Sequence, residues 1–210
     1  MSRNITIFAI ALSYFVYAIL LNSVGTVILQ SINTFGVSKI EASTLEGFKD
    51  LPIAIVSFFV AAFIPRVGYK IAMVLGLCIV TAASLATPVI ASFVVIKMLF
   101  ACIGASFALV KISVYSIIGQ LSDNKNSHSS LLNTIEGIFM VGSLTGYWLF
   151  SFFIDPSNES SASWLNVYYV LAGIIIMAVL LVFLAPIKKD IKDSSGIGFT
   201  REFVDMLKMS

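Results

Sequence analysis

The sequence predicts an all-α integral membrane protein with six transmembrane helices and both termini on the inner side, and three observations predict it. Of 210 residues, 59% are hydrophobic and 11% charged, with a mean hydropathy of +1.00, well above the about 45–50% apolar share of soluble domains. The apolar residues gather into six runs, each near the roughly 20 helical residues needed to cross a hydrocarbon core about 30 Å thick. The cations cluster between alternate runs, and short loops rich in Arg and Lys stay on the inner side.

The runs cover residues 5–29, 45–64, 70–87, 90–119, 131–153 and 164–186. They are continuously apolar, which favours helices over the alternating strands of a membrane barrel. Loops are expected over 33–44, 66–70, 122–130 and 155–163, with a tight turn at Pro88. Residues 1–187 form the bundle and 188–210 a tail. In that tail Ser194 to Gly198 is a flexible break, and Thr200 to Lys208 reads as a short amphipathic helix on the inner surface.

The first run exceeds the about 7–15 residues of a secretory signal core and lacks a cleavage site, so it is retained as a span. Its Tyr14, Tyr17, Asn22, Ser23 and Thr26 are uncharged polar groups, suited equally to a polar solute or to neighbouring helices. Lys49 and Asp50 sit about a turn inside the outer end of the second run. A basic turn containing Arg66, Gly68 and Lys70 follows, so short that it forces the second and third spans antiparallel. With that turn inside, Arg3, Arg66, Lys70, Lys125, Lys188, Lys189, Lys192, Arg201 and Lys208 are inner cations, against Lys39 and Lys49 outside.

In the fourth run Lys97, Ala101, Gly104, Ala108, Lys111 and Tyr115 fall on one helical stripe, each within about 40° of its centre line at 100° per residue, while Phe100, Phe107, Val110, Val114 and Ile118 are expected to face elsewhere. A polar and small stripe of this kind faces protein or water. Each ionisable residue at mid-membrane costs roughly 2.5–3.5 kcal/mol on insertion scales. Lys111 and Glu136, in consecutive antiparallel spans, have similar depth and are expected either to pair or to flank a water-filled site. Lys97 lies at a depth compatible with Asp50, where a structural pair is favoured. Gly142 and Gly146 have the small-xxx-small spacing of close helix packing.

Several function classes are excluded. No basic, aromatic-rich face supports nucleic-acid binding. Cys78 and Cys102 lie within apolar runs and read as buried hydrophobes. No metal-ligand cluster or phosphate loop occurs, so neither metal nor cofactor is expected and ATP-driven pumping has no basis. The sole histidine, His128, falls in an inner loop, which argues against an intramembrane serine protease. The Asn158-Glu159-Ser160 sequon is of a kind frequent by chance.

The turn after the second run, Ala61-Ala62-Phe63-Ile64-Pro65-Arg66-Val67-Gly68-Tyr69-Lys70, resembles the G-x-L-a-D-r-x-G-r-k motif of major facilitator superfamily transporters. Arg66, Gly68 and Lys70 match, whereas Ala61 replaces the first Gly and Pro65 the Asp. The chain as a whole resembles the N-terminal six-helix half of such a transporter. Within the superfamily it is similar to the fucose-type sugar:proton symporters, whose turn also lacks the Asp. Leu21-Asn22-Ser23 stands where that branch has Leu-Asn-Asp. Leu132-Asn133-Thr134-Ile135-Glu136, with the later Gly142, stands where it has a Leu-Asn run with a substrate-contacting Gln. Drug:proton antiporters fit less well, because Tyr147 follows Gly146 where they continue with Pro.

The resemblance implies secondary active transport of a small polar solute, a sugar in that branch, by alternating access in the cell membrane. It makes Asn22 and Glu136 cavity-lining. With Tyr14, Lys111 and Tyr115 from the residue reading, they form the expected substrate cavity. Ser23 for Asp and a fourth span without an acid leave Glu136 as the coupling candidate for a proton or cation. Arg66, Gly68 and Lys70 form the conformational turn. The implied partners are the lipid bilayer, the solute, and a second six-helix half or a homodimer partner. The alternative is a truncated or non-transporting membrane scaffold.

Overall fold

The computed structural model describes residues 2–187. The tail 188–210, with the helix expected over Thr200 to Lys208, lies outside them. The described residues form seven α-helices and one 3-10 turn: α1 Ser2–Asn22, α2 Val24–Phe35, α3 Lys39–Val67, α4 Tyr69–Ile90, α5 Phe93–Leu121, α6 Lys125–Ser151, the 3-10 turn Ser163–Asn166 and α7 Val167–Leu184. Four segments are long and apolar enough to cross a membrane: Arg3–Asn22, Tyr69–Ile90, Phe93–Leu121 and Ser163–Leu184. The other two long helices are more polar at their N-terminal ends, where α3 carries Lys39, Glu41, Glu46, Lys49 and Asp50, and α6 carries Lys125, His128 and Asn133.

The first expected span is a rod with a local break. Asn22 Nδ2 donates to the Ala18 carbonyl at 2.9 Å and Ser23 Oγ to the Leu20 carbonyl at 2.9 Å, so polar side chains compete for the ladder at the point where α1 gives way to α2. The loop expected over 33–44 shrinks to residues 36–38. Gly36, at φ 65°, closes α2 with its N–H on the Ile32 carbonyl. Ser38 then accepts from the Glu41 N–H at 3.2 Å and starts α3. Ser-Lys-Ile-Glu is the S-x-x-E start signal, and hydropathy misses it because the first turns of α3 are polar.

The turn expected at Pro88 is also displaced. Pro88 lies inside α4, which runs on to Ile90, and the chain reverses at Ala91 and Ser92. Ala91 takes the left-handed conformation at φ 42° with its N–H on the Thr87 carbonyl, and Ser92 caps α5 by accepting from the Val95 N–H at 3.3 Å. A proline removes one N–H without forbidding helix after it. The expected 122–130 loop likewise shortens to 122–124 because Asn124 accepts from the Ser127 N–H at 2.8 Å and begins α6. Only Gly68, at φ 101°, separates α3 from α4, a backbone conformation that favours glycine.

The packing has a two-fold pattern. α1 packs on α6 and α7, α5 packs on α3 and α4, and α4 packs on α7. Exchanging α1 with α5, α3 with α6 and α4 with α7 maps this set onto itself. The two equivalent crossings, α1 on α6 and α3 on α5, are both closed by glycine. A Cβ on Gly142 would stand 2.6 Å from the Phe15 carbonyl oxygen, and one on Gly104 would collide with the Lys49 carbonyl. Gly146 has its nearest Ile19 atoms at 3.5 Å, an ordinary contact. The core between these crossings is built from Tyr14, Tyr17, Phe100, Phe150, Trp164 and Tyr168, all buried.

Candidate functional site

Helical spacing builds the site on α5. Phe107, Lys111 and Tyr115 recur at four-residue intervals and so lie on one face. Lys111 stands ten residues before the end of α5 and Glu136 eleven after the start of α6. At 1.5 Å per residue both are about 15–17 Å from the connection between those helices, at similar depth. The Tyr115 hydroxyl donates to Glu136 Oε1 at 2.7 Å. No ion pair joins Lys111 to Glu136 among the described residues. Instead, the Lys111 ammonium stands 5.8 Å from the centre of the Phe107 ring and 5.7 Å from that of Tyr115, at the outer edge of cation–π range.

α1 supplies the floor. The ring of Tyr14 lies 6.4 Å from Tyr115, 6.2 Å from Phe107 and 5.7 Å from Phe139. Tyr17 lies 5.6 Å from Phe107. The buried Tyr14 hydroxyl sits beside that of Tyr115 without closing a hydrogen bond of its own. The result is an aromatic bed with a carboxylate and an ammonium at its open side, where Tyr115 and Lys111 are exposed and Glu136 half-buried. Three cavities of about 300, 870 and 380 Å³ lie elsewhere on the molecule, near Arg3, Phe48 and His128 respectively.

Of the residues expected from the sequence, Tyr14, Lys111, Tyr115 and Glu136 are brought together. Asn22 is not: it stands eight residues beyond Tyr14, about 12 Å along the rod. It donates to Ser143 Oγ on α6 at 2.9 Å, tying two helices. Arg66 lies in the last turn of α3 and Gly68 forms the α3 to α4 link. Lys70 reaches α7, where its ammonium donates to the Phe183 and Ala185 carbonyls at 2.8 and 2.7 Å and so caps that helix end. The Lys97 to Asp50 pairing is corrected. Lys97 meets Glu41 at 3.2 Å and the Phe93 ring at 4.6 Å, while Asp50 meets Lys49 at 3.5 Å. The polar first turns of α3 bring Glu41 within reach of Lys97. Phe107, expected on another face, instead lies beside Lys111 and Tyr14, and sequence reasoning missed Phe139, although each is spaced one turn from a charged member of the site.

The described residues contain no group of three metal-ligating side chains. What they hold is a charged, aromatic patch at mid-length of two helices, in a bundle whose packing repeats with two-fold exchange. A family model described as Major Facilitator Superfamily matches residues 7–208. The chain belongs to the major facilitator superfamily. Its members are membrane transporters rather than enzymes, which makes this a multi-pass membrane protein acting on a small solute. No curated protein and no solved structure matches the chain.

Proposed function

We propose that this chain carries a small polar solute by alternating access, with the solute held against Lys111, Tyr115 and Glu136 over Tyr14. The observation that carries the reading is the Tyr115 to Glu136 hydrogen bond with Lys111 beside it, two ionisable groups at mid-helix on an open face. Ionised groups at that depth are maintained only against water, protein or substrate. Glu136 is the coupling group, exchanging a proton as the solute binds and leaves.

In this reading α1 with α2, and then α3 to α7, give six spans. Both termini then lie on the cytoplasmic side of the cell membrane, a reading supported by the cations Arg3, Arg66, Lys70 and Lys125. The charged face needs an opposing wall, provided by a second six-helix half or another copy of this chain. Rocking of one wall on the other exposes the site to each side in turn.

The test is aqueous access. With Cys78 and Cys102 replaced by Ala, single cysteines at 111, 136 and, on the exposed α7 residue Leu180, as control are treated with a charged, impermeant thiol reagent. Positions 111 and 136 are expected to label at least about tenfold faster than 180, because thiolates form in water and not in hydrocarbon. Equal rates at all three would reduce the site to a packed bundle face. In the complete transporter Lys111→Ala and Glu136→Ala each stop solute uptake while the protein is still made.

A further inference from the structure

Three other helix lysines already have partners among the described residues. Lys97 has the Glu41 carboxylate at 3.2 Å, Lys49 has Asp50 at 3.5 Å, and Lys70 has two carbonyls at 2.8 and 2.7 Å. Lys111 differs. The groups around it are the Phe107 and Tyr115 rings one turn to either side, and the carboxylate nearest in depth, Glu136, accepts the Tyr115 hydroxyl instead. The aromatic neighbours flank the ammonium without neutralising it. An ammonium has three N–H donors and no acceptor, and among the described residues Lys111 makes no ion pair.

Resting on the transporter reading above, we infer that the solute is a small organic anion with a single carboxylate, and that this carboxylate docks on the Lys111 ammonium against the Phe107 and Tyr115 rings. A neutral sugar would leave the cation unmatched, since hydroxyls solvate an ammonium without cancelling its charge. A phosphate ester, at about −1.5 to −2 near neutral pH, would overload one lysine beside Glu136. A monocarboxylate matches it.

The charge balance then fixes the coupling. Lys111 and the bound carboxylate cancel, which leaves the Glu136 carboxylate. Around it are Tyr115, which donates to it, the uncharged Tyr14 from α1 beside Tyr115, and Lys111 near the Tyr115 ring, while the positions one turn away on its own helix, Leu132, Asn133, Phe139 and Met140, are uncharged. A proton taken by Glu136 from the outer solution makes the loaded site neutral, and its release inside with the anion restores the starting state. One proton accompanies one anion, and transport moves no net charge.

The experiment measures thermal stabilisation of the purified full chain by acetate, lactate and benzoate, with glucose and glycine in parallel. At least one of the three carboxylates is expected to raise the Tm in a saturable way. The apparent Kd should weaken at least about tenfold in Lys111→Gln and by much less in Lys111→Arg, as for loss of a charge-assisted bond. Lys111→Arg keeps the cation, so a folding defect is separable from a binding one. Stabilisation by glucose or glycine that Lys111→Gln leaves unchanged would overturn the anion assignment while sparing the transporter. Stabilisation by none of the three carboxylates also overturns it, and the labelling rates at 111 and 136 then decide the transporter reading separately.

Discussion

Replacing Gly142 by Ala should destabilise the bundle, whereas the same change at Gly137 on the same helix should not. At Gly142 the added Cβ would lie 2.6 Å from the Phe15 carbonyl oxygen, 2.9 Å from the Ala18 Cβ and 3.2 Å from Phe15 Cδ2. The first is backbone and cannot rotate away, so α1 and α6 must separate by roughly 0.8 Å to reach an ordinary contact near 3.4 Å. Overpacking of this kind costs about 1–3 kcal/mol, and the helix-propensity gain of Ala over Gly returns at most about 1 kcal/mol. With the full propensity gain the net is a loss of up to about 2 kcal/mol, or up to about 8 °C in Tm for a chain of this size. At Gly137 nothing lies within 4 Å, so only the propensity gain acts. Gly146, with its 3.5 Å contacts to Ile19, should be close to neutral. The assay is thermal unfolding of the three variants in one detergent. A Gly142→Ala variant as stable as Gly137→Ala would refute the reasoning, because both carry the same propensity change and differ only in what the methyl meets.

Lys70→Met removes both bonds to the last carbonyls of α7 and should cost about 1–3 kcal/mol; amide exchange near residues 183–185 should speed up, and unchanged exchange would rule out the cap. A double-mutant cycle on Lys97 and Glu41 should give a coupling of about 0.5–1 kcal/mol that shrinks in high salt, with Lys97→Gln costing more than Glu41→Gln because Lys97 also loses the Phe93 ring. Of the two tryptophans, Trp148 is 73% exposed and Trp164 1%. Brominated lipid is therefore expected to quench wild-type fluorescence strongly and the Trp148→Phe variant weakly, and equal quenching would place Trp148 away from lipid.

Membrane class, the approximate run positions and the short turn between the second and third runs were legible because hydrocarbon imposes a length and a composition that leave a one-dimensional trace. The same trace led the reading astray at helix ends. A hydropathy run stops where the bilayer would stop, but α3 begins with polar turns once Ser38 caps it, α6 begins at Asn124's cap, and α4 continues past Pro88. Those ends are set by hydrogen bonds of single side chains, which average hydropathy does not weigh.

The sequence by itself placed Lys111 and Tyr115 on one helix face, and Lys111 and Glu136 at similar depth, since helical period and rise are fixed by backbone geometry. Which groups then meet was decided by the tertiary structure. Tyr115 takes Glu136 and leaves Lys111 between rings, Lys97 takes Glu41, and Asn22 is drawn off to Ser143. Partner choice depends on how closely helices cross, and at α1 with α6 and α3 with α5 that distance is set by glycines facing backbone carbonyls from the neighbouring helix. The Gly142 and Gly146 spacing marks a close crossing, but spacing along one chain does not say which helix is met or which side chains the crossing brings together.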